Sequence, residues 1–292
     1  MPVTNKSGSM NVKLGVCNFC TPGMGAFAAR FAAMAGLDGM SLDLGFRVNG
    51  YPLACREVQK AYLEDQQRYG IELPNIGLSC LDFLSLMTRP GQADYDEVQW
   101  VWNTAIETAA AMDIHQLLLP AFAESEIKTE DDFEYAVELF RRISLRAAEH
   151  GITIGSENVL PFAKQRELVE RVGCENFGLF YDSQNFFFNK DLSQTEALEA
   201  LYDLLVPQLH VKDGRRGELS GRVVGEGESD FAGSMRILHR RGWNGWIILE
   251  NYYEQYPLRG RNPDVWDIFM ADVAALRAAV AEETFNGEEK QV

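Results

Sequence analysis

The sequence predicts an α/β fold built as a single closed (β/α)8 barrel, and three observations predict it. Short apolar runs alternate with longer amphipathic ones along the chain, eight such pairs can be counted, and no linker rich in Pro, Gly or Ser divides them. The length of 292 residues fits one barrel with modest extensions, since barrels of this class run to about 250 residues. The barrel is expected over residues 11–282, between a flexible N-terminus at 1–10 and a flexible acidic tail at 283–292.

Taken in order, the strand candidates begin with VKLGVC at 12–17, GMSLDL at 39–44 and LPNIGL at 73–78. QLLLPAF at 116–122, ITIGSEN at 152–158 and FGLFYD at 177–182 follow, then PQLHVKD at 207–213 and WIILEN at 246–251. Several carry their polar residue at the C-terminal end. Helical patterns lie between them, for example at 55–69, 94–112, 130–149 and 193–205, where apolar residues recur at spacings of three and four. Ser193 and Asp230 suit N-caps, whereas Gly70, Gly151, Gly173 and Gly242 stand where a helix needs a left-handed residue to stop.

An open doubly wound sheet is the competing architecture. GMGAFA at 23–28 fits G-x-G-x-x-A, and Asp43 ends the next strand about where a ribose-binding acid belongs. The spacing before the motif argues against it. In a dinucleotide site the first glycine closes a tight turn straight off the strand, whereas Asn18 to Pro22 intervene here.

Composition excludes several classes of function. A formal charge of −16 opposes a phosphate-backbone partner, because nucleic-acid binding relies on clustered Lys and Arg to displace counterions. Anionic membranes are disfavoured for the same reason. MPVTNKSGSM has no apolar signal region, and no stretch approaches the roughly 18 apolar residues of a membrane span, so a cytoplasmic location is expected. The five cysteines, Cys17, Cys20, Cys55, Cys80 and Cys174, are odd in number and scattered, which points to reduced thiols. CNFC at 17–20 has a redox or zinc spacing, yet no second pair follows and TPG stands where a thioredoxin-like helix would begin. Packing at a strand end is the plainer reading of that pair.

In a barrel, function gathers at the C-terminal ends of the strands. Four consecutive strands carry a candidate there: Glu157 in GSEN, Asp182 in LFYDSQN, His210 in LHVKDG and Glu250 in IILEN. Each follows an apolar run, so each would sit in a partly dry mouth where an isolated charge is expensive and a positive partner is required. Three carboxylates and one imidazole are mostly hard oxygen donors, matching Mn²⁺, Mg²⁺ or Co²⁺ better than a thiolate-rich zinc site. The nearest cations in sequence, Lys212, Arg215 and Arg216, offer the alternative of a salt-bridge network. His115, His150 and His239 lack such a setting and read as surface or packing residues.

Over roughly residues 12–275 the chain resembles the sugar phosphate isomerase/epimerase family of xylose isomerase-like barrels. The residues that carry the resemblance are Glu157, Asp182, HVKD at 210–213 and above all VGEGESDFAGSMRILHRRGWNGWIILEN at 224–251, in which GEGE-x-DF opens a helix and a Glu closes the following strand. The resemblance implies that Glu157, Asp182, His210 and Glu250 bind one divalent metal ion, Mn²⁺ first, with Mg²⁺ or Co²⁺ as alternatives. It implies a small carbohydrate substrate, a barrel that pairs into dimers or tetramers, and an isomerase or epimerase acting on a keto sugar or sugar phosphate through an enediolate. Glu157 and Glu250 would then exchange the proton, with Lys212, Arg216 and Asn185 contacting substrate.

Two departures narrow the resemblance. Free-ketose 3-epimerases of the family carry a histidine three residues after the sixth-strand Asp, where this chain has Asn185. They also carry a second Glu shortly after the fifth-strand ligand, and NVLPFAK at 158–164 has none. Arg222, just before the GEGE loop, is similar to phosphate-sugar members, a solvated loop arginine being the plainer reading. A lyase or dehydratase acting on a keto-inositol or 3-keto-glycoside would share the same enolate. A non-catalytic sugar-binding barrel remains a third reading. Phe19, Phe83, Phe122 and Trp246 could wall a sugar pocket, but as aromatic residues they are read as core.

Overall fold

The structure is a computed structural model that describes residues 10–23, 25, 27–262 and 264–281. The expected N-terminal segment, apart from Met10, and the acidic tail lie outside the described residues. Eight parallel strands close into one barrel in sequential order, β1 to β8. They are β1 (Asn11–Cys17), β2 (Gly39–Asp43), β3 (Ile76–Gly77), β4 (Gln116–Ala121), β5 (Thr153–Asn158), β6 (Phe177–Asp182), β7 (Leu205–Val211) and β8 (Asn244–Leu249). The ring is completed by β1 pairing with β8, from Asn11 opposite Asn244 to Val16 opposite Leu249. A closed ring excludes the open sheet, and GMGAFA feeds a helix that begins only at Phe27.

Nine α-helices cover the outside among the described residues: α1 (Phe27–Met34), α2 (Arg56–Tyr69), α3 (Tyr95–Ala111), α4 (Glu130–Ala148), α5 (Phe162–Val172), α6 (Asn185–Lys190), α7 (Gln194–Leu201), α8 (Phe231–Arg241) and α9 (Val265–Ala281). Their ends follow the sequence signals. The Ser193 hydroxyl accepts from Glu196 N–H and the Asp230 carboxylate from Gly233 N–H, each satisfying an orphan donor of a first turn. Gly70, Gly173 and Gly242 close α2, α5 and α8 in the left-handed conformation. Gly151 is left-handed as well, at φ +67°, but it stands two residues beyond the cap of α4 at Glu149.

Most strand bounds shift by a residue or two from the sequence reading, and the shifts of β3, β7 and β8 matter most for the site. β3 is only two residues long, because Pro74 has no N–H to donate and the chain before it makes isolated contacts, with Met40 N–H donating to the Glu72 carbonyl. β7 stops at Val211 and β8 at Leu249, so Lys212 and Glu250 lie just past their strands.

Large and small residues alternate across the barrel interior. Trp246 fills the floor only because Gly39 faces it, since a Cβ there would lie 2.6 Å from the indole. Gly155 likewise leaves room for Phe180 and Val206. Phe180, Val206 and Leu118 form a small buried cluster inside the ring, and Phe180 meets His210 edge-on with ring centres 4.6 Å apart. The main apolar core lies between barrel and helices.

The long loop between β7 and α8 is tied to the barrel by one carboxylate. Asp213 accepts from the N–H groups of Gly214, Gly225 and Gly227, at 2.8–2.9 Å, and from the Ser229 hydroxyl at 2.7 Å. Gly227 is required here, because a Cβ would stand 2.0 Å from Asp213 Oδ1. A second buried carboxylate, Asp272 of α9, accepts from Val224 N–H, Asn251 Nδ2 and the Tyr253 hydroxyl, each at 2.7 Å. These bonds lock the loop and the end of β8 against the last helix. Asp213→Ala strands several enclosed donors at once, and we expect it to lower stability by about 3 kcal/mol in urea unfolding and to open residues 214–229 to proteolysis.

Candidate active site and metal centre

Strand register brings four side chains to one sector of the rim. Asp182 and His210 are direct register partners on β6 and β7, and Val211 pairs with Leu249, which sets Lys212 level with Glu250. Alternation along β7 turns His210 and Lys212 to the same face. Glu157 sits on β5, one strand further round. All are buried, and the ligand-capable atoms of Glu157, Asp182, His210 and Glu250 lie within 4.8 Å of one another.

Each group is held by a defined neighbour. Asp182 Oδ1 accepts from the N–H groups of Gln184 and Asn185 at 2.9 and 2.8 Å, so the turn that starts α6 orients it. Asn185 Nδ2 donates to Glu157 Oε1 at 2.7 Å. Lys212 Nζ donates to Glu250 Oε2 and lies 3.1 Å from Asp182 Oδ2. His210 Nε2 is 3.5 Å from Cys17 Sγ at the end of β1. Its Nδ1 is 3.4 Å from Glu250 Oε2 without hydrogen-bond geometry.

Enclosure perturbs every proton affinity in the group. Burial pushes the Glu157 carboxyl well above the usual carboxylate range, and the nearby Glu250 charge adds to it. Asp182 is raised chiefly by burial as well. Burial also works to raise Glu250, but Lys212 and His210 outweigh it and hold that carboxyl down at about 2. For His210 burial opposes the charged form, yet Cys17 and Glu250 prevail and push it up to about 10.

The cluster fits a divalent cation on its own chemistry. Asp182 Oδ2 and His210 Nδ1 are enclosed without hydrogen-bond partners, and three carboxylates face a single ammonium. The donors are oxygens and one imidazole nitrogen, the set preferred by hard or borderline divalent ions. A cation among these acids would reverse the upward shifts of Glu157 and Asp182. The salt-bridge network that the sequence left open is therefore present in part, but even with His210 charged the cations do not match three carboxylates.

The cluster opens into a cavity of about 570 Å³. Its walls include Phe19, Phe83 and Phe122, three aromatic residues that the sequence reading assigned to the core, while Trp246 belongs to the barrel floor. Lys212 and Asn185 reach the cavity. Arg216 does not: after Asp213 the chain turns outward, and its guanidinium pairs with Asp191 at 2.5 Å on the surface. Arg215 is exposed too, and Arg222 is engaged by Glu218 at 3.1 Å. Asp43 uses its carboxylate to accept from Gly45 and Ser79 N–H groups, joining the loops after β2 and β3. His115 pairs with exposed Asp113, His150 lies beside Arg146 on the surface, and His239 packs against the Ala279 carbonyl.

Sequence reasoning missed Cys17 as the neighbour of His210, Asp82 and Tyr252 as cavity walls, and Asp213 as the loop anchor. Asp213 had a signal, standing in HVKD next to the candidate ligand, whereas Asp82 follows the weakest strand and had none.

The profile of the xylose isomerase-like TIM barrel family matches residues 29–274. The chain belongs to that family. A 2-epi-5-epi-valiolone 7-phosphate 2-epimerase from Actinoplanes sp. is 29% identical over 249 residues, covering 84% of this chain and 88% of that protein. An inosose isomerase from Halalkalibacterium halodurans is 23% identical over 212 residues, covering 68% and 75%. Among solved structures, D-psicose 3-epimerase with D-tagatose from Clostridium cellulolyticum H10 superposes with a TM-score of 0.73 at 15% identity, covering 92% of this chain and 99% of that one. The IOLI protein with a binding zinc atom does so with a TM-score of 0.71 at 16% identity, covering 92% and 98%. The likeness to these structures shows the shared fold. Like its relatives, this member of the xylose isomerase-like family is an enzyme.

Metal binding is directly measurable. Adding Mn²⁺, Co²⁺ or Mg²⁺ in large excess is expected to stabilise the purified protein by about 3 kcal/mol at a hundredfold over Kd. Asp182→Ala should abolish that gain in a thermal melt, and an unchanged gain in the variant would place the ion elsewhere.

Proposed function

We propose that the enzyme is a divalent-metal-dependent isomerase or epimerase of a keto sugar or sugar phosphate, working by proton transfer next to the carbonyl. The observation that carries this reading is the convergence of Glu157, Asp182, His210 and Glu250, two of which, Glu157 and Glu250, line an aromatic-walled cavity. The same four residues are the ones we propose to hold the ion, Mn²⁺ first, with Mg²⁺ or Co²⁺ as alternatives. When bound, the ion supplies Lewis-acid stabilisation of negative charge developing on substrate oxygens.

The protein's own residues supply the rest. Glu157 and Glu250 stand on β5 and after β8, so they reach a bound ketone from different sides of the mouth. One removes the proton beside the carbonyl and the other returns one to the enediolate, on the opposite face for epimerisation. Asn185 fixes the rotamer of Glu157 through the 2.7 Å bond and also faces the cavity, which suits a contact with a substrate hydroxyl. The Lys212 ammonium, buried beside Glu250, is positioned to steady oxyanion charge. Phe19 and Phe122 narrow the entrance and exclude water from the reacting carbon.

The epimerase and isomerase names of the relatives support this class of reaction. A lyase or dehydratase on a keto-inositol or 3-keto-glycoside would share the first proton transfer and diverge when a β-leaving group departs. No helix among the described residues is long and apolar enough to cross a membrane, and a cytoplasmic location is part of the proposal.

Incubation of the metal-loaded protein with keto sugars, sugar phosphates and keto-inositols in D₂O should place deuterium next to the carbonyl, and the product identifies isomerisation, epimerisation or elimination. Glu157→Gln and Glu250→Gln should each lower turnover by about 10²–10⁴-fold with the fold intact by circular dichroism. Turnover within tenfold of wild type in both variants would falsify the acid/base assignment.

A further inference from the structure

Asp82 is a cavity carboxyl that no step of the mechanism uses. It closes the 3₁₀ turn at Ser79–Asp82, directly after β3, which in an eight-stranded ring stands across the mouth from β7 and His210. The residue lines the same cavity as Glu157 and Glu250, and its Oδ1 is enclosed without a hydrogen-bond partner. An enclosed carboxyl oxygen left unpaired is unfavourable until a donor or a proton reaches it. Burial first, and then the Glu250 charge, push this group up to about 7, so near neutral pH it can donate as well as accept a hydrogen bond.

The charge of the cavity bears on what the substrate carries. Among the described residues lining it, Lys212 is the one cation, and it is engaged by Glu250 and Asp182. Cations on neighbouring loops are engaged as well, Arg222 by Glu218, Lys190 by Glu126 and Arg216 by Asp191. Four carboxyls, at Asp82, Glu157, Asp182 and Glu250, face one ammonium, and a divalent ion would still leave one negative charge when all four are ionised. A phosphate dianion meets no unengaged cation among the described residues lining this cavity, whereas hydroxyl groups satisfy the free carboxyl oxygens.

We propose that Asp82 binds a hydroxyl of an unphosphorylated, polyhydroxylated ketone at the end remote from the reacting carbon, and that the site thereby selects against phosphate esters. This deepens the reading of the enzyme given above and rests on it for the reactive end of the molecule. The ketone is open-chain or cyclic, both offering the same array of hydroxyls.

The test compares wild type with Asp82→Ala and Asp82→Asn, all loaded with Mn²⁺, on ketohexoses, keto-inositols and their phosphate esters, following deuterium exchange by NMR. Wild type is expected to favour the unphosphorylated ketone by about 100-fold or more in kcat/KM, and Asp82→Ala to lose about tenfold or more, mostly through KM. Asp82→Asn, which keeps a donor and an acceptor, should recover part of that loss. The Mn²⁺-induced rise in melting temperature should be the same in all three, which separates a substrate contact from a damaged site.

Preference for the phosphate ester, or kcat/KM of Asp82→Ala within twofold of wild type, overturns the inference. If wild type exchanges deuterium with no ketone, the proposed isomerase or epimerase function fails instead, and calorimetric binding of myo-inositol and xylitol decides the role of Asp82. Binding weakened about tenfold in Asp82→Ala upholds the contact; equal binding, or none to wild type, removes it.

Discussion

Three carboxylates enclosed at the mouth of a barrel are unstable company for one another, and the site is organised around that repulsion. Glu157, Asp182 and Glu250 are buried on adjacent strands with His210 among them. In a medium of low dielectric, each charge demands a cation or several donors. The turn N–H groups of Gln184 and Asn185, the Asn185 amide and the Lys212 ammonium supply part of the demand. Asp182 Oδ2 and His210 Nδ1, enclosed without hydrogen bonds, mark what they leave over. The charge imbalance built into the strand ends is one that a bound cation would resolve, and the four side chains lie close enough together to hold one.

Holding such a cluster in place requires stiff surroundings. The strands supply this through register, because Asp182 opposite His210 and Val211 opposite Leu249 set the heights of the side chains above the floor. Loops that would otherwise drift are fastened by buried acids. Asp213 gathers the N–H groups of the loop after β7, and Asp272 joins that loop to the end of β8 through Asn251. Both carboxylates are as buried as the cluster itself, yet they are matched by donors, which is why they read as structure and the cluster reads as function.

Aromatic walls and acidic floor together define the kind of molecule that fits. For the keto sugar proposed as substrate, Phe19, Phe83 and Phe122 provide apolar faces for its C–H surface, while the carboxyls match its hydroxyls. The relatives named for an epimerase of a cyclitol phosphate and an isomerase of an inosose belong to the same chemical neighbourhood. Within this chain's own cavity, Asp82 Oδ1 is enclosed without a hydrogen-bond partner.

Much of this was legible in the linear chain. The eight strand positions, the caps at Ser193 and Asp230, and the four rim residues follow from apolar runs ending in polar residues, a periodicity that local chemistry dictates. Strand edges were harder: Pro74 shortened β3 to two residues, and the polar ends of β7 and β8 lie one residue beyond the last ladder pair. Only the tertiary structure decided who meets whom. Arg216 is four residues from Lys212, and a turn after Asp213 sends it to the surface while Lys212 is buried among the acids. Cys17 reaches His210, 193 positions away, because the ring closes, and Asp82 faces the cavity because β3 lies across it, placements that no local pattern encodes. Sequence by itself determined which groups stand at the rim; closure of the barrel determined which of them share one enclosed space, since burial and charge pairing depend on distances that exist only in three dimensions.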